Sequence, residues 1–295
     1  MSEALGNCTL CYGGVLQSID PSIALCECQA CAFIFRNPRP TFDEIAEHYS
    51  RGAQYESWLA AEKARDAMWR RRLRKITRHR KGGSLLDVGA GIGQFLHVAQ
   101  NNFKVEGTEI SKSALRIGAD KYGLALHNGS LEEIVDTALR ERRFDIITLF
   151  HVLEHVPWPA ATLAACTQLL VEGGLLVVAV PNDIGCWKRP LKDLLRFLGI
   201  RRFRSRGMFG LSKLELRELG SEIHLSHFTA SVLQATLRRQ GFQIQELGID
   251  PFYVEVGARA AVHALLYVVC SMFRWISGVN IYDTIWVVAE KTTAT

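Results

Sequence analysis

The run Ser84-Leu-Leu-Asp87-Val-Gly89-Ala-Gly91-Ile-Gly93 constrains the fold of this chain more tightly than any other segment. An apolar stretch ends at an acid, glycines follow at every second position, and Phe95, Leu96, Val98 and Ala99 open an amphipathic segment. The pattern predicts a buried strand, a turn whose backbone lies close to a ligand, and a helix start. A dinucleotide fingerprint needs G-x-G-x-x-G/A, and Gln94 stands where its third small residue belongs. The spacing here is G-x-G-x-G behind an acid. Segment 104–110 reads as the next strand, with Glu109 at its end.

Strand and helix patterns go on alternating downstream. Arg143 to His151 is a fourth-strand candidate, Leu163 to Leu170 has helical spacing, and Gly173-Gly174 stops that helix. Leu175 to Val180 is a near-continuous apolar run closed by Pro181-Asn182. Apolar runs without alternation indicate strands covered on both faces, as in a parallel sheet. Their alternation with helices predicts a doubly wound α/β domain.

The acid-x-G-x-G-x-G run resembles the first motif of the class I S-adenosyl-L-methionine (SAM)-dependent methyltransferases. Val152-Leu-Glu154-His155-Val-Pro157, then Gly173 to Asn182, then His224-Leu-Ser-His227-Phe-Thr229, resemble the large subfamily that methylates small molecules, sugars and quinone precursors. The resemblance covers about residues 82–250 and the closing strand Thr284 to Lys291. It implies a Rossmann-like, mostly parallel seven-stranded sheet with an antiparallel last strand. It places the cofactor against Asp87, Gly89, Ala90, Gly91, Gly93 and Gln94, with Glu109 and Ile110 at the ribose. Ser130 and Leu131 would meet the adenine, and Phe150 closes the fourth strand beside the site. The chemistry is consistent with this. SAM carries a sulfonium and no pyrophosphate, so a helix N-terminus aimed at phosphates gains little, whereas a carboxylate at Glu109 suits the ribose hydroxyls. The plainer alternative is a glycine-rich turn in an ordinary α/β protein, with Glu109 at the surface.

Methyl transfer is an in-line displacement at a carbon that the sulfonium already activates, so the protein must align the acceptor and exclude water. A hydroxyl acceptor also has to lose its proton, which suits histidine. His151 and His155 after the fourth strand and His227 before a helix capped by Thr229 are the catalytic candidates. Quinone-type O-methyltransferases carry E-x-x-E-H in this place and can hold a divalent cation there. Here His151 replaces the first acid, leaving His151, Glu154 and His155.

Five of the eight cysteines lie in the first 31 residues. Cys8-Thr-Leu-Cys11 and Cys28-Gln-Ala-Cys31 have the spacing of a closed structural zinc site. Cys26 is a fifth candidate, and Cys28 is preferred because it keeps two residues between the paired thiols. Segment 33–40 resembles the ribbon in front of some methyltransferases of this subfamily. Cys166, Cys186 and Cys270 sit in apolar settings and read as buried. No apolar stretch follows the start, so the expectation is a cytoplasmic chain with reduced thiols. The expected organisation is a zinc ribbon over 1–40, a helical cap over 41–81, and a methyltransferase domain over 82–295 with insertions at 187–213 and 257–278.

Charge is uneven in a chain of net +5. Arg70 to Lys81 carries eight Lys/Arg and no acid, read most simply as a solvated helix face. Trp187 to Lys213 carries nine Lys/Arg against Asp193 and mixes them with apolar residues, as a basic amphipathic helix does. Ala258 to Ile276 is mostly apolar and close to spanning length. Because the final strand follows directly, it reads as a buried or interfacial helix. These features predict a small-molecule acceptor, anionic or lipid-linked, with peripheral contact at the inner face of the membrane. Nucleic acid is the less favoured partner, since no aromatic-basic RNA module is evident. An RNA methyltransferase and a non-catalytic SAM-binding protein are the alternatives.

Overall fold

The computed structural model describes residues 2–50, 53–198, 207–214, 222–250, 252, 254 and 257–292. The N-terminal part contains β1 (Ser2–Glu3), β2 (Leu16–Asp20), β3 (Leu25–Cys28), β4 (Ile34–Arg36) and β5 (Arg39–Pro40). Three helices follow: α1 (Phe42–Ser50), α2 (Ala53–Ala60) and α3 (Glu62–Ile76). The motif region gives β6 (Ser84–Val88), α4 (Gln94–Ala99), β7 (Lys104–Glu109), α5 (Lys112–Tyr122), β8 (His127–Asn128) and α6 (Leu131–Ile134). Next come β9 (Phe144–Phe150), α7 (Pro159–Leu169), β10 (Leu170–Pro181) and α8 (Lys188–Phe197). The chain closes with β11 (Ser226–His227), α9 (Ala230–Arg239), β12 (Phe242–Gly248), α10 (Gly257–Ser277) and β13 (Thr284–Lys291).

Seven strands form the central sheet in the order β12-β13-β10-β9-β6-β7-β8. Neighbours from β10 to β8 pair in parallel, and β13 runs antiparallel to both β10 and β12. The expected doubly wound α/β sheet with an antiparallel last strand is therefore present. The unbroken apolar runs have a direct cause. Leu86, Ile147, Val178 and Val287 enter one core, while Leu85, Ile146, Val177 and Val288 enter another. β6, β9, β10 and β13 are covered on both faces, so a polar residue inside them carries a cost.

β11, from far along the chain, pairs with β4 and completes a four-stranded sheet in the order β11-β4-β3-β2. Phe33 packs on Phe228 at 5.0 Å between ring centroids, and Cys8, Cys28, Phe33 and Phe35 join the main core. The N-terminal ribbon is thus built into the rest of the protein. Cys166, Cys186 and Cys270 are buried, as expected.

One helix differs from expectation, and for a second the structure decides part of an open reading. The basic run from Arg70 is not simply a solvated face, because Arg72 and Lys75 are buried. Arg72 Nε donates to Asp250 Oδ1 at 2.9 Å, and Lys75 Nζ donates to the Ile249 carbonyl at 3.0 Å, so both tie α3 to the end of β12. α10, expected to be buried or interfacial, lies between β12 and β13 and is largely exposed, which removes the buried alternative. Only Cys270 on it is buried, while Leu265 is 64%, Trp275 85% and Ile276 75% exposed. The helix is long and apolar enough to cross a membrane by length and composition, yet β13 returns straight into the sheet.

Candidate active site

The tips of β6 and β7 carry the glycine turn. Gly89, Gly91 and Gly93 have φ of 65°, 57° and 79°, a region that side chains enter only at a cost. Ala90 N–H donates to the Thr108 carbonyl at 2.9 Å, which locks the turn to β7. Glu109 is buried and accepts from Gly91 N–H and from Ser111 N–H, each at 2.8 Å. Burial raises its pKa. Each carboxylate oxygen still has a lone pair for a hydroxyl donor. Asp87 is buried one strand away and accepts from Thr148 Oγ1 at 2.6 Å, and burial raises its pKa to about 7.

The helical cap closes over this turn. A Cβ on Gly91 would meet Trp58 Cζ3 at 2.8 Å. The Arg65 guanidinium stacks on Trp58 at 4.2 Å, and Arg65 Nε donates to Gln94 Oε1 at 2.7 Å. Nothing local in the sequence signalled Trp58, because its partner is set by how the cap docks.

The loop after β9 holds a second group. His151 has φ of 57°, uncommon for a side chain bearing a Cβ and a form of strain that gathers at functional sites. Its Nδ1 lies 3.2 Å from Glu154 Oε1, its Nε2 lies 3.7 Å from Asp250 Oδ2, and its ring faces Phe252 at 4.7 Å. Burial works against the imidazolium, but Asp250 and Glu154 outweigh it and raise the His151 pKa. Glu154 is 1% exposed. Burial would raise its pKa, but the surrounding histidines bring it below the usual value. His155 Nδ1 lies 2.7 Å from the Ile223 carbonyl and 2.9 Å from the Tyr49 hydroxyl, and burial lowers its pKa. His155 and Tyr49 therefore hold α1 against the 222–225 segment.

A methyltransferase-domain family model matches residues 60–247, well over half of the chain. The chain belongs to the methyltransferase-domain family. Among curated proteins it is 32% identical to a ubiquinone biosynthesis O-methyltransferase of Alkalilimnicola ehrlichii over 125 residues, 40% of this chain and 48% of the relative. It is 36% identical to the Nitrosococcus oceani protein of the same name over 119 residues, 38% of this chain and 50% of that one. The chain spans about half the length of the curated relatives it matches. A SAM-dependent methyltransferase from Thermotoga maritima shares the fold with TM-score 0.52 and 14% identity, over 84% of this chain and 100% of that one. So does a magnesium protoporphyrin IX methyltransferase from Synechocystis, with TM-score 0.50 and 11% identity, over 86% of this chain and 100% of that one.

Within this methyltransferase domain, the residues named from sequence separate into groups. Asp87, Gly89, Ala90, Gly91, Gly93, Gln94 and Glu109 come together at the tips of β6 and β7, with Ile110 next in the chain. Ser130 precedes α6, and its N–H donates to Glu133 Oε2 at 2.9 Å. The Leu131 side chain lies in the core, and the Phe150 ring is packed on Phe95 at 5.0 Å and Trp286 at 5.8 Å. His227 sits on β11, where its Nδ1 is 2.8 Å from Asp183 Oδ2. It connects to the β9 loop through His224, whose ring lies 5.0 Å from that of His155. Asp183 was not singled out from sequence, although it follows the C-terminal end of β10, where open α/β sheets place their ligands.

The four cysteines expected to ligate zinc converge. Their sulfurs all lie within 4.8 Å of one another, with Cys8–Cys31 at 3.7 Å and Cys11–Cys28 at 3.6 Å. Tetrahedral zinc with ~2.3 Å bonds to sulfur separates its ligands by about 3.8 Å. The donor set and spacing therefore fit the ion. Cys26 lies outside the group.

Proposed function

We propose that this chain transfers the methyl group of SAM to a small-molecule hydroxyl or carbon. The observation that carries the reading is the glycine turn gripped by Glu109 through Gly91 and Ser111 N–H. That arrangement leaves carboxylate lone pairs for the ribose hydroxyls. SAM supplies the electrophilic methyl when bound. Asp87, Ala90, Gly89, Gly91 and Gly93 shape the cradle, Gln94 and Trp58 close it, and the β9 loop receives the acceptor. His151 serves as the proton acceptor for a hydroxyl substrate at Nε2, oriented through Nδ1 by Glu154, while the nearby Asp250 carboxylate favours the imidazolium that forms. The Synechocystis neighbour was solved with bound SAM, and the curated relatives named for O-methylation in ubiquinone biosynthesis favour a small acceptor over RNA.

The acceptor is anionic or lipid-linked on this reading. α10 presents Val262, Leu265, Met272, Trp275 and Ile276 to solvent, and α8 presents Leu194 and Phe197. Between α3 and α10 lies a cleft lined by Arg71, Arg74, Lys75, Arg78 and Arg274. Basic and apolar surfaces side by side suit peripheral contact with an anionic bilayer. Arg201, Arg202, Arg204 and Arg206 of the basic insertion lie outside the described residues.

Metabolite and lipid extracts of a strain lacking the gene, complemented with wild type or with His151→Gln and fed methyl-labelled methionine, test the function. A labelled compound restored by wild type and not by His151→Gln supports it. Label restored equally by both removes His151 from the mechanism, and no labelled difference between the strains contradicts the reading.

A further inference from the structure

Beyond the C-terminal end of β10, three metal-ligating side chains meet from distant parts of the chain. Asp183 follows β10, while His224 and His227 come from the segment that forms β11. Asp183 Oδ2 lies 3.3 Å from His224 Nδ1 and 2.8 Å from His227 Nδ1. One ligand atom from each residue can be chosen so that all three lie within 4.8 Å of one another. An ion held by ~2.0–2.2 Å bonds keeps neighbouring ligand atoms roughly 3 Å apart, and the two distances from Asp183 match that separation.

The surroundings suit a cation. His227 is 2% exposed. Behind His224, Glu222 Oε2 lies 3.3 Å from Nε2. A carboxylate on the outer nitrogen of a ligating imidazole fixes the ring and strengthens it as a donor. His224 also belongs to the neighbouring group with Glu154 and His155, so a further carboxylate lies near it, together with the His155 ring at 5.0 Å.

We propose that Asp183, His224 and His227 bind one divalent transition-metal ion, separate from the cysteine cluster. Two imidazole nitrogens and one carboxylate select zinc, cobalt, manganese or iron over magnesium and calcium. Three protein ligands leave coordination positions for water or an anionic oxygen. The site does not depend on the methyl-transfer reading.

Full-length protein whose cysteine cluster has been filled with zinc is titrated with Co(II) in the absence of SAM. One saturable equivalent is expected, with visible ligand-field bands and no thiolate-to-cobalt charge-transfer band. Asp183→Asn and His224→Gln should each weaken it at least tenfold. His224 is partly exposed, so His224→Gln serves as the folded control, checked by its melting temperature in metal-free buffer. No saturable cobalt, cobalt reported only by the thiolate band, or binding undiminished in a folded His224→Gln variant would each overturn the proposal.

Discussion

Two buried carboxylates at neighbouring strand tips do different work. Glu109 has backbone N–H donors on both oxygens, which lowers the cost of its charge. The Thr148 hydroxyl donates to Asp87, and burial raises the Asp87 pKa from 3.8 to about 7. The sign of the stability effect follows. Between those two values the folded state holds a proton that the unfolded state has released, so stability falls as pH rises through the window. At about 1.4 kcal/mol per unit, the loss amounts to a few kcal/mol. Asp87→Asn should therefore lose less stability than wild type between about pH 4 and pH 7. Urea denaturation of both proteins at several pH values checks this, and parallel curves would show that Asp87 is not buried as a neutral acid. At this scale the sequence was legible where spacing alone sets geometry, as in the glycine turn and the two cysteine pairs. It was silent on Trp58, Tyr49 and Asp250, whose roles depend on which distant element docks against them.

Elements met expectation where periodicity was strong. β6, β9 and β10 are covered on both faces, and their unbroken apolar runs said so. β11 was missed because a two-residue strand has no period, and its pairing with β4 is a long-range event. α3 was misread for a related reason. A run of arginines carries no mark that one of them, Arg72, will meet Asp250 in the core. Besides its packing on the main core, the ribbon is expected to rely on its cysteines, since β2, β3 and β4 are short and three of the four thiols lie on the loops beside them. Metal binding in such a segment supplies on the order of 10 kcal/mol of folding energy. Elemental analysis should find one zinc per chain. Cys28→Ser should abolish it and lower the melting temperature, while Cys26→Ser should retain it. Zinc kept in Cys28→Ser and lost in Cys26→Ser would exchange the two ligands.

For the whole molecule, the segments least needed by the sheet carry its most unusual surface. α10 reads as apolar in sequence, but the face it would bury could not be read, because an inserted helix is not fixed by the strands on either side of it. With its apolar residues in solvent and a basic cleft at its flank, the protein should co-sediment with anionic vesicles and less so at high salt. Each Lys or Arg near such a surface contributes about 1 kcal/mol. Replacing Trp275 and Ile276 by serine should reduce binding severalfold, and indifference of wild type to vesicles at low salt would favour a soluble acceptor. All these features serve a methyltransferase only if the tips of β6 and β7 hold SAM. Calorimetric titration of SAM into wild type and Glu109→Ala tests that most directly. The account predicts saturable one-to-one binding to wild type, weakened by about 1–3 kcal/mol in the variant through the lost hydroxyl partner. Equal affinity in the two proteins, or no binding to wild type, would contradict it.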